Sequence, residues 1–477
     1  MVLRLFESKY IYFIVGSVNL VAFSVGTGMS WPSSQLTKLT NNVDNPLGRL
    51  ITKSEAGWIT SLSNIGGIIG PVVYGFFMET IGHRNSLIAL GIPLVTTFGI
   101  TAFAQNIYLY YIARFLLGIG SGPMFLVCAV YVAEIADNDR RALLTATTVI
   151  YVTTGTLFSY CVGPYTSPMV FNLILSAIPS LYIILVVLFV PESPHYLLKQ
   201  GDVVGATRIL ENIRGYKGDD ITREIEDLKG FTDSSHEEKA RVIDLFSSSA
   251  AIYAFFMGLF LVTFLQVNGT GVFINYTEQI FDGTVSKLTS SQSAIVVGVI
   301  QVVFSPISPI FIQRFGRKTL LLTSIMGGIA AHTSLGGYFI LQDQGVDLHR
   351  FSWVPLTSMG LFFFSFFAGF GCLPWAIITE IYPSHIKSMG CSVVNTISSM
   401  LGFLVMFYFN CMVDSIGMGY TFILFSGVMS VAWLIIFVKL PETKGKTFHE
   451  IQDIISGPKG RYMDEIGLET TSETYSE

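Results

Sequence analysis

Gly75-Phe-Phe-Met-Glu-Thr-Ile-Gly-His-Arg84 and Phe311-Ile-Gln-Arg-Phe-Gly-Arg-Lys318 are two copies of one pattern: an apolar run closing on a glycine and a basic turn. Two more pairs repeat in the same order. Tyr131-Val-Ala-Glu134 is matched by Ile378-Thr-Glu-Ile-Tyr-Pro383, and Pro191-Glu-Ser-Pro194 by Pro441-Glu-Thr-Lys444. Three matched pairs in one order read as a duplicated chain, each half carrying the same set of markers.

Working outward, each marker closes a long hydrophobic stretch. A bilayer core about 30 Å thick takes about 20 helical residues to cross. Runs of that order fall at roughly 11–30 (span 1), 57–78 (2), 86–104 (3), 109–133 (4), 144–163 (5) and 169–190 (6). They resume at roughly 249–274 (7), 292–312 (8), 319–341 (9), 354–379 (10), 390–411 (11) and 419–440 (12). The expected domains are 1–192, a six-helix bundle; 193–247, a polar insert; 248–443, a second bundle; and 444–477, a tail. In the insert, Ala206, Ile209, Leu210 and Ile213 recur at helical spacing, as do Ile221, Ile225 and Leu228. Short amphipathic helices under the membrane are expected there. Thr447-x-x-Glu450 reads as a capping box ahead of Phe448, Ile451 and Ile454, with a polar tail from Ser456.

Composition agrees. Only 13% of the 477 residues are Asp, Glu, Lys or Arg, too few to cover the core of a soluble protein but enough where lipid is the solvent. A net charge of −5 gives no case for nucleic acid. The five cysteines lie in apolar runs without metal-ligand spacing and read as free thiols. The first apolar stretch lacks a small-residue cleavage site and reads as a retained helix. With the N-terminus inside, Arg84, Arg140, Arg141, Arg314, Arg317, Lys318, Lys387 and eight basic residues of the insert are cytoplasmic. Lys38, Arg49, Lys53, Lys287 and Arg350 are left outside, so the positive-inside bias puts both termini in the cytoplasm. Duplicated halves around a midplane site are typical of secondary transporters. No P-loop, metal cluster or nucleophile–base pair stands apart from these motifs, so no enzyme, cofactor or metal is expected.

The chain resembles the sugar porter family of the major facilitator superfamily over nearly its whole length. The resemblance rests on Pro441-Glu-Thr-Lys-Gly-Lys-Thr447, Pro191-Glu-Ser-Pro194, Arg114-Phe-Leu-Leu-Gly-Ile-Gly120, and Leu373-Pro-Trp375 with Glu380 and Pro383. Ile381-Tyr-Pro-Ser-His-Ile-Lys387 is most similar to the insect facilitated trehalose transporter-like branch. The fold this implies is an all-α membrane protein. Twelve transmembrane helices form two pseudo-symmetric six-helix bundles, the major facilitator fold, with a short cytoplasmic helical insert.

The resemblance also implies a cytoplasmic gate. Glu79 replaces the family's usual aspartate there, and Arg84 with Arg140 or Arg141 would face Glu134 and Glu192. Arg314 and Arg317 would face Glu380 and Glu442. Such pairs would lock the halves together when the carrier opens outward and break when it opens inward. His83, in the place of an arginine, reads as a solvated loop side chain, and Gln313 replaces the second-half aspartate.

The resemblance places the substrate between the halves, touched mainly by spans 5, 7, 8 and 10. Sugars call for amides that donate and accept at adjacent hydroxyls and for an aromatic face. Gln266, Gln301 and Trp375 match pocket positions of the family, and Asn268 and Tyr276 lie on the mobile part of span 7. Gly269, Gly271, Gly369, Gly371 and Pro374 are the expected hinges of spans 7 and 10. The pocket departs from the hexose pattern at Val149, Leu265, Gly271 and Phe367, and Ser398 and Ser399 replace an asparagine or tryptophan. Gly26 stands where proton symporters of the family carry an aspartate in span 1. The expected function is therefore facilitative uniport of trehalose or a hexose by alternating access in the cell membrane. The alternatives are a carrier of a polyol or less polar solute, and a solute sensor that does not transport. The partners are the small polar solute and the bilayer, with no obligatory protein partner evident.

Overall fold

A chain crossing hydrocarbon must satisfy its own backbone hydrogen bonds, and helices do so within each segment. The computed structural model describes residues 9–41, 45–214, 221–226, 228, 242–246, 249–286, 288–382, 384–446 and 450; among these it has helices and no strand. Nine described helices are long and apolar enough to cross a membrane, and a pair bent by 43°, Ser290–Phe304 with Ile307–Arg314, makes ten. Asn138–Val162 has the length of a crossing but begins in a charged turn. Met389–Lys439 holds two crossings, divided where Gly417 adopts a φ of 85°. Twelve crossings result, at the places the sequence marks.

The ends of the spans are set by local chemistry. Span 2, Lys53–Thr80, starts with a reciprocal capping box between Thr52 and Glu55, and span 8 with one between Thr289 and Gln292. Asn106 caps span 4, and Ser167 followed by Pro168 caps span 6. Span 1, Lys9–Thr40, runs about three turns past its apolar stretch, because polar Ser30, Ser33, Ser34 and Gln35 are buried against neighbours rather than left to water. Span 4 is interrupted at Pro123 and span 8 at Pro306, where the ring cannot donate to the helix.

Small residues bring the spans close. A β-carbon on Gly66 of span 2 would lie 2.1 Å from the Phe115 carbonyl of span 4, and one on Gly118 2.1 Å from that of Ser63. Spans 1 and 5 cross in the same way at Gly26 and Gly155. Between the halves, span 2 packs on span 11 and span 5 on span 8.

The repeated motifs all meet at one face, called here the motif face. Tyr10 at the start of span 1 donates to the Phe189 carbonyl at the end of span 6, at 2.8 Å. The insert also lies on this side. Helices Pro194–Lys199 and Val203–Arg214 bury Leu198, Ala206 and Leu210 with Ile221 and Ile225, a small core of their own that matches the amphipathic reading. The expected capping box at Thr447, and the tail after it, lie outside the described residues. All five cysteines are free.

Candidate functional site

At the face opposite the motifs, the two halves are joined. The Tyr276 hydroxyl of span 7 bonds with Thr60 of span 2 at 2.9 Å and accepts from Asn410 of span 11 at 3.4 Å, its ring against Phe409. Tyr160 of span 5 donates to the Ile274 carbonyl at 2.9 Å and lies 3.0 Å from the Thr277 hydroxyl. The Ser33 hydroxyl of span 1 accepts from the Glu278 amide at 3.1 Å. Trp58 of span 2 packs on Phe403 and Phe407 of span 11, and Lys53 pairs with Asp414 at the rim. Tyr276 thus serves as a bolt across the halves. Thr60, Tyr160 and Ser33 were not singled out in the sequence, since a hydroxyl in an apolar run reads alike whether it faces a neighbour or its own helix.

The break in span 7 that positions Tyr276 is visible. Helix Ser249–Val267 ends, Gly269 takes a left-handed φ of 86°, and Thr270–Asn275 resumes. A side chain at Gly269 would be strained in that conformation. Asn268 is fully buried, and its side-chain oxygen accepts from the Thr270 amide at 2.8 Å and hydroxyl at 2.6 Å. It caps the resumed helix, and its carbonyl bonds His332 of span 9 at 2.9 Å. Gly271 packs against Met406. Span 10 loosens into a π-turn at Phe366–Phe370, which contains Gly369; Gly371 ends it, and Pro374 opens the helix Leu373–Ile381.

Gln301 is buried in span 8 beside the Tyr160 hydroxyl, its Nε2 without a partner. Gln266 is half-buried near the span 2–span 11 contact, against Gly402. Trp375 is 40% exposed and, among the described residues, its indole N–H has no hydrogen-bond partner. Among the described residues, no hydrogen bond joins these three to one another. Around them, Val149 and Leu265 are half-buried, Phe367 is buried, and Ser398 donates to the Val262 carbonyl at 2.8 Å rather than offering its hydroxyl to a ligand.

At the motif face the halves are built alike. Glu192 accepts from the amides of His83 and Arg84, at 2.9 and 3.0 Å, where span 3 begins. Glu442 accepts from those of Arg317 and Lys318, at 2.7 and 3.2 Å, where span 9 begins. Each carboxylate sits at a helix N-terminus, where unpaired amides and the dipole favour negative charge. Ser193 donates to Glu134 as Thr443 does to Glu380. Arg317 pairs with Glu380 at 3.2 Å, and in the first half the equivalent place is taken by His83, 3.4 Å from Glu134.

His83 is therefore not the solvated side chain expected: only 13% of it is exposed, because the short turn after Gly82 tucks it beneath the insert. The Arg84 guanidinium does not meet Glu134 or Glu192; it donates to the Val187 carbonyl at 2.6 Å and only its backbone amide reaches Glu192. Glu79, Arg141 and Arg314 are exposed, and Arg140 lies half-buried in the turn entering span 5. Arg214, from the insert, holds that turn instead, paired with Asp137 and Glu224, both at 2.8 Å, and bonded to the Ile135 carbonyl. His195 on the short insert helix is held below its ordinary pKa by burial first and by the Arg141 charge second. The His83–Glu134 and Arg317–Glu380 pairs each stay within one half, and the Arg214–Asp137 pair ties the insert to the first half.

A family model described as sugar (and other) transporter matches residues 10–455. The chain belongs to that family. Among relatives of this sugar (and other) transporter, the facilitated trehalose transporter Tret1 of Apis mellifera ligustica is 28% identical over 452 residues, which cover 93% of this chain and 88% of that one. The Drosophila mojavensis protein of the same name is 28% identical over 442 residues, and this chain spans about half of it, 51%. Among solved structures, the xylose transporter XylE from E. coli in an inward-open conformation superposes with a TM-score of 0.76 at 22% identity, covering 93% of this chain and 99% of that one. A D-xylose-proton symporter gives 0.71 at 21% identity over 92% and 100%. The transporter shares its fold with these structures: a multi-pass membrane protein and not an enzyme.

Proposed function

We propose that this transporter carries a sugar, trehalose or a hexose, by facilitative uniport and alternating access. It works in the cell membrane with the termini, insert and motif face in the cytoplasm. The observation that carries the reading is the asymmetry of the two faces. Hydrogen bonds from Tyr276, Tyr160 and Ser33 join the halves at the far face, whereas the His83–Glu134 and Arg317–Glu380 pairs of the motif face stay within their own halves. That is the arrangement of a carrier caught open toward the motif side, and a channel needs no such alternation. The gating roles of Glu134, Glu192, Glu380 and Glu442 follow: their helix-end positions leave them ready to receive the other half's cations when the motif face closes.

Uniport is supported by span 1. A β-carbon on Gly26 would lie 2.0 Å from the Val152 carbonyl, so the position of the family's proton-carrying aspartate is filled by span 5 backbone. Arg114, buried nearby, is held by the carbonyls of Ile59 and Gly28, both at 2.8 Å, and by the Trp31 ring rather than by a carboxylate. With no acid at that position of span 1 to exchange a proton, transport runs downhill. A sugar is favoured by the family and by the names of its relatives, and by Gln266, Gln301 and Trp375 at the interface. The apolar Val149, Leu265 and Phe367 favour a polyol or less polar solute as the second reading.

Uptake of labelled trehalose and glucose into oocytes tests this, with Gln266→Ala and Trp375→Ala alongside. The expected result is saturable uptake that does not change with external pH and is lost in both variants. Surface protein with no uptake of either sugar would overturn the substrate, and pH-driven accumulation would overturn uniport.

A further inference from the structure

Span 2 offers an amide that the functional reading has not used. Asn64 lies one helical turn inward from Thr60, on the same face, since residues four apart stack along a helix. Thr60 meets span 7 at Tyr276, in the closed outer layer. Asn64 lies one layer further in, near Gln266 of span 7. The two amides converge on Gly402 of span 11: a β-carbon there would lie 3.2 Å from the Gln266 side-chain carbon, 3.3 Å from its oxygen and 3.4 Å from the Asn64 oxygen.

Both amides are half-buried, and neither has a hydrogen-bond partner among the described residues. An amide carries two donors and two acceptor lone pairs, which the hydroxyls of a ligand can meet. Gly402, lacking a side chain, gives both amides room, since a β-carbon there would crowd them. One amide comes from each half, and both sit directly inside the closed gate. A ligand with adjacent hydroxyls satisfies that geometry, accepting from one amide and donating to the other.

We propose that Asn64 is a substrate-contacting residue, supplying the N-terminal half's amide opposite Gln266, with Gly402 giving both amides room. This rests on the reading of the chain as a sugar carrier. It gives the substrate a contact in each half, which is what couples its binding to the movement of one half against the other.

The test is concentration-dependent trehalose and glucose uptake in oocytes, normalised to surface protein, for the native chain, Asn64→Ala and Gly402→Ala. Asn64→Ala is expected to raise KM about tenfold, one lost hydrogen bond to a neutral hydroxyl at the upper end of its range, with the maximal rate held within about twofold. Gly402→Ala, which places a methyl against the amides, is expected to raise KM as well and stands in if Asn64→Ala fails to reach the surface. Asn64→Cys, in a background with Cys161 and Cys411 replaced by Ser, is expected to react with a thiol reagent and to be protected by saturating sugar. A residue that only glues span 2 to span 11 would alter rates without that protection. Saturable native uptake with KM unchanged in both variants, or no protection of Asn64→Cys, overturns the role of Asn64 and leaves the carrier intact. Absence of native uptake overturns the sugar reading itself, and the proposal falls with it.

Discussion

Tyr276→Phe removes one hydroxyl and keeps the ring, so it isolates the bolt that joins the halves. The lost contact is the 2.9 Å bond to Thr60 of the opposite half; the 3.4 Å bond from Asn410 is within the same half and does not hold the gate. Thr60 is not orphaned, because its hydroxyl keeps the carbonyls of Ala56 at 3.1 Å and Gly57 at 3.0 Å. The ring keeps its contact with Phe409. The cost is therefore that of one net hydrogen bond, about 1 kcal/mol, which shifts the far-face equilibrium about fivefold toward open. Spin labels at Leu50→Cys and Val346→Cys, on exposed loops of opposite halves, read the open and closed populations by pulsed electron resonance. The exposed Cys161 and Cys411 are first replaced by Ser. Thr60→Val removes the same bond, so the double variant is expected to shift no further than either single one. An open-to-closed ratio that moves less than about twofold in Tyr276→Phe, or additive effects in the double variant, would refute the cross-half role of this bond.

Gly269→Ala is expected to destabilise the protein by about 1–2 kcal/mol, since a left-handed residue is forced and its β-carbon meets His332 at 2.9 Å. A lowered melting temperature in detergent and slowed uptake check it. Glu192→Gln and Glu442→Gln each remove a charge from a helix N-terminus and are expected to cost similar amounts, about 0.3–1 kcal/mol. Unequal losses in parallel thermal scans would deny the functional equivalence of the two halves.

Far more of the fold than of the site was legible in the sequence. Lipid demands long apolar helices, and that demand is written in consecutive residues, so all twelve crossings were placed from hydrophobic runs. The paired markers at Arg84 and Lys318, Glu134 and Glu380, and Glu192 and Glu442 located the motif face for the same reason: charge that closes an apolar run belongs at a membrane boundary. The breaks at Gly269 and Pro374 were readable because glycine and proline act on their own backbone.

Partners were not legible. Arg84 bonding Val187, His83 turning inward to Glu134, and Arg214 reaching from the insert to Asp137 depend on segments distant in the chain. So does the choice of gate. Nothing local distinguishes the Tyr276 hydroxyl, which joins the halves, from that of Tyr182, which bonds Leu87 within one half. Asn64 and Gly402 were passed over because a lone asparagine and a lone glycine carry no pattern. The sequence by itself determined a duplicated, twelve-span membrane protein and its charged face. Only the tertiary structure decided at which face the halves are bonded to each other, which hydroxyls bond them and which two amides flank Gly402, because hydrogen bonds between spans are set by how helices far apart in sequence are rotated against one another.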